Sequence, residues 1–513
     1  MIPNKRTPNT NIVRAEKTEI ILGPPGTGKT TRLLDELDKA LRSFSPETIC
    51  YISFTRKAAN EAADRACEKF NKEREEFPLF RTMHSLAYEY LNIQRNKLML
   101  PKDYFQLARE AGTFISFKKN DGIANPEGMA AGNQMLAVIS RAKNNNISLG
   151  EAWEELGCVT NYQENVRFEA LYQEYKKKTE KLDFDDIIIQ YAETGTIPRI
   201  NILFIDEAQD LSTAQWKMAT RLQKKTIKNY VAGDDDQSIY EWAGANTKVF
   251  IDLQGRETVL DQSYRVPAKI HKISESILNR ISNRRRKEYK PRIDNGSIQY
   301  VYHPIELPLD EGTWLLLARN NSLLPYYEGA CLELGHFFKY QNDESDLNTI
   351  VRAVSAWKSL KEGGICSGYD LKAIYKWMKV VENFKYGFKK KVDRVENSAA
   401  FNLNQLKEVY GCTSTSKEWE KAMLKIPDKE KSFIKKAYAS GNPYDTRITI
   451  STIHGAKGGE ADNVALFLDM APNTFNAMKK HPDQEHRVWY VGVTRTKQNL
   501  YLITPETKYH YEI

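Results

Sequence analysis

The chain has 513 residues, of which 41% are hydrophobic and 28% charged, and its formal net charge is +8. A chain of this length outgrows a single hydrophobic core and divides into roughly three or four compact units, while the mild basic excess permits a polyanionic partner without requiring one. Its six cysteines are scattered with no C-x-x-C pair, which argues against a zinc site or a disulfide framework and fits a reducing cytoplasm; no apolar run suggests a signal peptide or a membrane span.

Residues 1 to 18 read as a polar lead-in. Glu19-Ile20-Ile21-Leu22 is then a short apolar strand running into Gly23-Pro24-Pro25-Gly26-Thr27-Gly28-Lys29-Thr30, with Thr31-Arg32-Leu33-Leu34 opening a helix behind it. The turn fits G-x-x-x-x-G-K-[ST]. Glycines let backbone N–H groups turn inward around a polyphosphate, and the helix N-terminus adds partial positive charge. Lys29 reaches the terminal phosphates, and Thr30 places a hydroxyl on a magnesium ion. Residues Gly23 to Thr31 are therefore the expected nucleotide cradle, and the chain reads first as an NTPase.

Further along, Thr48–Ser53 reads as a strand and Ala58–Phe70 as an alanine-rich helix, the alternation of a parallel sheet covered by helices. Residues 91–180 turn charged and helix-leaning, which predicts a helical insertion. Strands return at Ile202–Ile205 and Asn229–Ala232, then at Ser297–Tyr302 and Trp314–Ala318. Residues 345–444 are lysine-rich and helix-leaning, a second insertion, before buried strands at Ile448–Ile450, Val464–Leu468 and Asn499–Ile503. The basic runs Lys176–Lys178, Arg284–Lys287 and Lys389–Lys391 read more readily as solvated helix faces than as binding patches. The predicted fold is α/β, with two parallel sheets that each carry a mainly helical insertion.

Hydrolysis of a phosphoanhydride needs a metal anchor, a group to orient water and positive charge for the transition state. The apolar run Ile202–Ile205 ends in Asp206-Glu207. A buried strand ending in two carboxylates puts Asp206 beside the magnesium and Glu207 over the attacking water.

Eight blocks then occur in an order that resembles the motifs of superfamily 1 helicases. After the phosphate loop come Ile52-Ser53-Phe54-Thr55-Arg56-Lys57-Ala58-Ala59, Arg81-Thr82-Met83-His84-Ser85-Leu86-Ala87, Leu182-Asp183-Phe184-Asp185-Asp186 and Asp206-Glu207-Ala208-Gln209-Asp210. Val231–Trp242 carries a triple aspartate followed by Gln237-Ser238-Ile239-Tyr240, and Gln262-Ser263-Tyr264-Arg265, Thr452–Glu460 and Tyr490–Thr496 complete the set. The triple aspartate and the Lys457-Gly458-Gly459-Glu460 block are similar to the UvrD/Rep/PcrA group, class A of that superfamily.

This resemblance implies two RecA-like P-loop NTPase domains: residues 1–90 with 181–260, interrupted by the insertion 91–180, and residues 261–344 with 445–513, interrupted by the smaller insertion 345–444. It implies that Gln237 senses the γ-phosphate and that Arg265 and Arg495 are arginine fingers contributed across a cleft. Tyr264 would stack on the adenine and Glu460 approach its ribose and phosphates. Phe54, Thr55, His84, Tyr240, Trp242 and His454 lie in blocks that line the strand groove of similar helicases. The implied activity is an ATP- and Mg2+-dependent motor moving 3′→5′ on single-stranded DNA and acting at single-strand/duplex junctions. The expected form is a cytoplasmic monomer, with replication or repair proteins as partners. Three alternatives stay open: a translocase that strips proteins from single strands, an NTP-driven switch or scaffold for a protein partner, and, with less support because little in these blocks reads a 2′-hydroxyl, an RNA-directed motor.

Four departures stand out. Asn9–Val13 holds no glutamine where the family's adenine-reading motif is expected, and Ala243 replaces the arginine after the motif III tryptophan. Gly459 replaces an apolar residue, and the second insertion is short, like that of phage- or plasmid-encoded versions. The short insertion predicts weak autoinhibition.

Overall fold

A computed structural model of the protein describes residues 17–53, 56–116, 130–157, 160–341, 346–439 and 447–513. They divide into two compact units: the described residues up to 298 with 471–500 and 511–513, and the described residues of 299–470 with 501–510.

The first unit is built on a six-stranded sheet of order β3-β2-β4-β5-β1-β6. Its strands are β1 (Thr18–Leu22), β2 (Ile49–Ser53), β3 (Phe80–Thr82), β4 (Ile202–Asp206), β5 (Lys228–Gly233) and β6 (Arg256–Val259), and every pairing is parallel. The central strands are apolar on both faces because both faces are covered. Ile21, Tyr51, Phe204 and Ala232 enter one core with Leu33 and Leu37 of the helix Lys29–Leu41. Their neighbours Ile20, Cys50, Ile52, Leu203 and Ile205 enter the other, with Trp216 and Leu222. Parallel pairing brings the carboxyl ends of β1, β4 and β5 to one edge of the sheet, the usual seat of a ligand in open α/β sheets. The edge strands β3 and β6 were not expected from the sequence; β3 has three residues and β6 is largely exposed, so neither shows an apolar run.

The described residues between 91 and 180 are mainly helical and have their own core of Met99, Leu107, Met135, Ile139, Phe168 and Tyr172. Asp183 and Asp186 hold this segment in place. Lys143 reaches them at 2.7 and 2.6 Å, and Lys176 at 2.8 and 2.6 Å. Lys176 is thus buried, against the expectation of a solvated run, because two carboxylates at the start of the helix Phe184–Thr194 supply its counter-charge. Also in this unit are the paired strands β7 (Gln262–Pro267) and β8 (Lys290–Arg292), and the helices Ala268–Leu278 and Pro482–Val493.

A second sheet has the order β11-β14-β10-β15-β16-β9, from β9 (Ser297–Val301), β10 (Trp314–Ala318), β11 (Lys339–Tyr340), β14 (Ile448–Thr452), β15 (Ala461–Phe467) and β16 (Thr496–Ile503); β10, β11, β14 and β15 lie wholly in the second unit. Strands β10 and β14 pair in parallel, as do β10 and β15. Residues 346–439 are mainly helical, as expected, but also contain an antiparallel pair, β12 (Ile365–Ser367) and β13 (Ala400–Asn402). Three-residue strands are too short to show a period. Trp357, Leu371 and Ile374 of this segment share one core with Trp314, Leu316, Ile450 and Ala465 of the sheet, so excising it would open the core of the unit. No helix among the described residues is long and apolar enough to cross a membrane.

Candidate active site

The phosphate loop leaves β1 and closes on itself. Thr27 Oγ1 donates to the Pro24 carbonyl at 2.8 Å, and Lys29 Nζ donates to the Gly23 carbonyl at 2.8 Å. Gly28 caps the helix Lys29–Leu41 with φ 81° and has no side chain to satisfy the first-turn N–H groups. Those donors face the place an anion would take. Gly26 is required twice over: its φ is +70°, and a Cβ there would meet Arg265 Cβ at 2.3 Å. That close approach arises because β7 runs along the loop. Ser263 Oγ donates to the Pro25 carbonyl at 2.7 Å, and Tyr264 N donates to the Gly26 carbonyl at 2.9 Å. Arg265 therefore sits against the phosphate loop, while Tyr264 is 72% exposed with its ring free of the core.

At the end of β4, Asp206 Oδ2 accepts from Tyr51 Oη at 2.9 Å and from Thr30 Oγ1 at 3.4 Å, and Asp206 Oδ1 accepts from Glu207 N at 2.9 Å. The predicted magnesium ligands are thus brought together, a hydroxyl and a carboxylate of the hard-oxygen kind this ion takes. Burial lifts the Asp206 carboxyl to about 6; the charge of Glu207 pushes the same way and the Lys29 ammonium opposes it. A carboxyl raised above its ordinary value is protonated at pH values where a solvated one is ionised, and a protonated carboxyl binds metal poorly. Carbonyl-carbon NMR of labelled aspartate in the nucleotide-free protein should show a midpoint near 6 for Asp206, moving upward in Lys29→Ala where the opposing charge is gone. A midpoint near 4 would contradict this assignment.

Glu207 adopts a left-handed backbone, φ 54°. A non-glycine residue held there costs about 1–3 kcal/mol and signals a side chain aimed for a purpose. Gln209, fully buried, holds it: Nε2 donates to Glu207 Oε2 at 2.5 Å, while Oε1 accepts from Asp234 N at 3.0 Å. Asp234 Oδ2 accepts from Gln237 Nε2 at 2.6 Å, and Gln237 Oε1 accepts from Arg495 Nη2 at 2.8 Å. One hydrogen-bonded chain therefore runs from Glu207 through Gln209, Asp234 and Gln237 to Arg495, all in the first unit. Arg495 is 2% exposed.

The residues expected to meet a nucleic acid are more dispersed. Trp242 is half-buried, and the ring of buried Tyr240 meets it edge-on at 6.5 Å. His84, on the helix Met83–Tyr90, meets Phe184 edge-on at 6.0 Å, and Phe184 is 53% exposed. In place of an arginine at Ala243, Arg141 of the insertion donates to the Glu241 carbonyl and pairs with Glu155 at 2.8 Å. His454 and Glu460 belong to the second unit, where His454 is buried and Glu460 exposed. Phe54, Thr55 and the Asn9–Val13 stretch lie outside the described residues.

Sequence reasoning passed over Tyr51, Gln209, Phe184 and Lys287. The run Arg284–Lys287 is not the solvated helix face expected but an irregular segment in which Lys287 is buried. Three aspartates draw it inward.

Two family models match: the UvrD/REP helicase N-terminal domain over residues 5–257 and the UvrD-like helicase C-terminal domain over residues 447–503. A protein named ATP-dependent DNA helicase Rep, from Buchnera aphidicola subsp. Schizaphis graminum, is 21% identical over 96% of this chain and 92% of its own length. The protein of that name from Buchnera aphidicola subsp. Baizongia pistaciae is 26% identical over 54% of this chain, and the alignment spans 43% of that relative. Escherichia coli Rep is 25% identical over 50% of this chain and 41% of its own. With a phosphate loop, a strand-end carboxylate pair and a glutamine–arginine arm already joined in one unit, the chain belongs to the UvrD/Rep family of helicases.

Proposed function

We propose that the protein is an ATP-dependent DNA helicase that moves 3′→5′ along single-stranded DNA and separates the duplex ahead of it. The observation that carries this reading is the hydrogen-bonded chain from Glu207 to Arg495, with Asp206 and Thr30 at one end and Arg265 against the phosphate loop. Gly23 to Thr31 would bind the phosphates and Tyr264 the adenine. Glu207 would orient water, Arg265 and Arg495 would take up charge on the transferred phosphoryl group, and Gln237 would report that charge to the motif III turn. A magnesium ion held by Thr30 and Asp206 would neutralise the phosphate oxygens.

Coupling would follow from the arginines' positions. They lie in segments 261–298 and 471–500, outside the sheet that carries the phosphate loop, so binding and losing the γ-phosphate would draw them in and release them. In the domain reading these segments belong to the second RecA-like domain, residues 261–344 and 445–513, and Glu460 would join the nucleotide from there. The single strand would stack on Trp242 and the His84–Phe184 pair. Phe54, Thr55, Tyr240 and His454 would complete the groove.

Strand separation on duplexes bearing a 3′ or a 5′ single-stranded tail, with and without a protein roadblock, tests the reading. The expected result is ATP-dependent separation from the 3′ tail. Roadblock removal without strand separation would favour the protein-stripping translocase, and separation from the 5′ tail would reverse the polarity.

A further inference from the structure

Asp234, Asp235 and Asp236 are completely buried, and carboxylate oxygens from all three lie within 4.8 Å of one another. Three carboxylates this close and out of water need cations or protons. By donor type they resemble a site for a hard metal ion. The structure fills it otherwise. Lys287 Nζ lies 2.9 Å from Asp234, 2.6 Å from Asp235 and 2.7 Å from Asp236, and its side chain is 1% exposed. Arg284 holds both oxygens of Asp236 at 2.7 and 2.5 Å, and Arg285 N donates to Asp235 Oδ2 at 2.8 Å. Burial raises both carboxyls, but Lys287 and Arg284 outweigh it at Asp236, which ends below its ordinary value, while Asp235 ends above it.

The ammonium also decides an orientation. Asp234 Oδ1 accepts from Lys287 Nζ and from Asp236 N at 3.2 Å, and Oδ2 accepts from the Gln237 amide nitrogen, which leaves the amide oxygen facing Arg495. A guanidinium only donates and a carboxylate only accepts, so a flipped amide would satisfy neither neighbour.

Resting on the ATPase reading above, we propose that Lys287, from a segment outside every motif block, is a positioning residue for ATP hydrolysis. It stands where a metal ion would otherwise sit among the aspartates, and through Asp234 it aims Gln237 at Arg495. Without it the triplet takes up protons or a divalent cation, Asp234 keeps only the neutral donors Asp236 N and Gln237 Nε2, and the arm to Arg495 loses its fixed direction.

The test compares Lys287→Met and Lys287→Arg with the wild type in the full chain, measuring melting temperature, kcat and KM for ATP. Lys287→Met should lower kcat by about tenfold or more while KM for ATP stays within about threefold. Lys287→Arg, which keeps the charge, should recover most of kcat. Loss of the ammonium can unfold the chain, so Lys287→Met is also made with Asp235→Asn, which restores the balance of charge. The double variant should melt near the wild type yet keep the low kcat, because Asp234 still lacks its cationic partner. A folded Lys287→Met or double variant with kcat within about twofold of wild type overturns the proposal. A double variant that does not fold also overturns it, since the lysine's role would then be stability alone. A wild type without ATP turnover would instead sink the functional reading itself, and the lysine's role in hydrolysis with it.

Discussion

Lys29→Ala is expected to lower ATP turnover by about three orders of magnitude while leaving binding of single-stranded DNA and the melting temperature close to wild type. Its ammonium donates to the Gly23 carbonyl, inside a loop of glycines and prolines at the amino end of the helix Lys29–Leu41. In the proposed function that charge would meet the terminal phosphates of a bound nucleotide. Removing one preorganised donor from a developing negative charge costs about 3–4 kcal/mol, or about a hundred- to a thousandfold in rate, and a full cation at a phosphoryl group belongs at the upper end of that range. The fold should tolerate the change, because a single part-buried hydrogen bond to a backbone carbonyl is lost, worth about 1.5–3 kcal/mol at most for a charged donor and only a few degrees in a chain of this size. DNA-stimulated turnover retained in this variant would refute the role given to Lys29.

Glu207→Gln should separate binding from chemistry. Glu207 is held in a left-handed backbone beside Asp206, with its carboxylate on the Gln209 amide. The isosteric amide keeps size and hydrogen bonding but cannot accept the proton of an attacking water. General-base catalysis is worth about a hundred- to ten-thousandfold, so kcat should fall by that much with ATP affinity unchanged. Filter binding of labelled ATP beside steady-state hydrolysis measures both. Equal losses in affinity and turnover would mean that Glu207 holds the nucleotide and leaves the water to another group.

Much of this site was legible in the sequence, for reasons that differ from residue to residue. The phosphate loop announces itself because its chemistry demands glycines at fixed spacing between a strand and a helix, and Gly26 and Gly28 do take positive φ. Asp206-Glu207 is legible because β4 is apolar up to the residue at which it must stop. Arg265 and Arg495 are not legible from chemistry alone, since an arginine after an apolar run is commonly a surface ion pair; only the order of the blocks singles them out. Tyr51 was hidden because a tyrosine within a strand reads as core, which it also is. Gln209 and Lys287 were hidden because their partners are distant in sequence: Gln209 bonds the backbone of Asp234, and Lys287 enters a cluster of aspartates about fifty residues earlier. Composition even pointed the wrong way for Lys287, because a basic run signals solvent unless the acids waiting for it are known. The edge strands escaped for a simpler reason, that three or four residues at the rim of a sheet need not be apolar.

In the proposed function, the pocket made by the phosphate loop, Asp206, Glu207 and the Gln237–Arg495 arm hydrolyses ATP in response to a DNA strand. The deciding measurement is the rate of ATP hydrolysis with single-stranded DNA, with single-stranded RNA and with no polymer. The expected result is a low basal rate that single-stranded DNA raises by about tenfold or more, with RNA far less effective, since little in these blocks reads a 2′-hydroxyl. Turnover that is the same in all three conditions would contradict it and leave a nucleotide-driven switch in place of a motor.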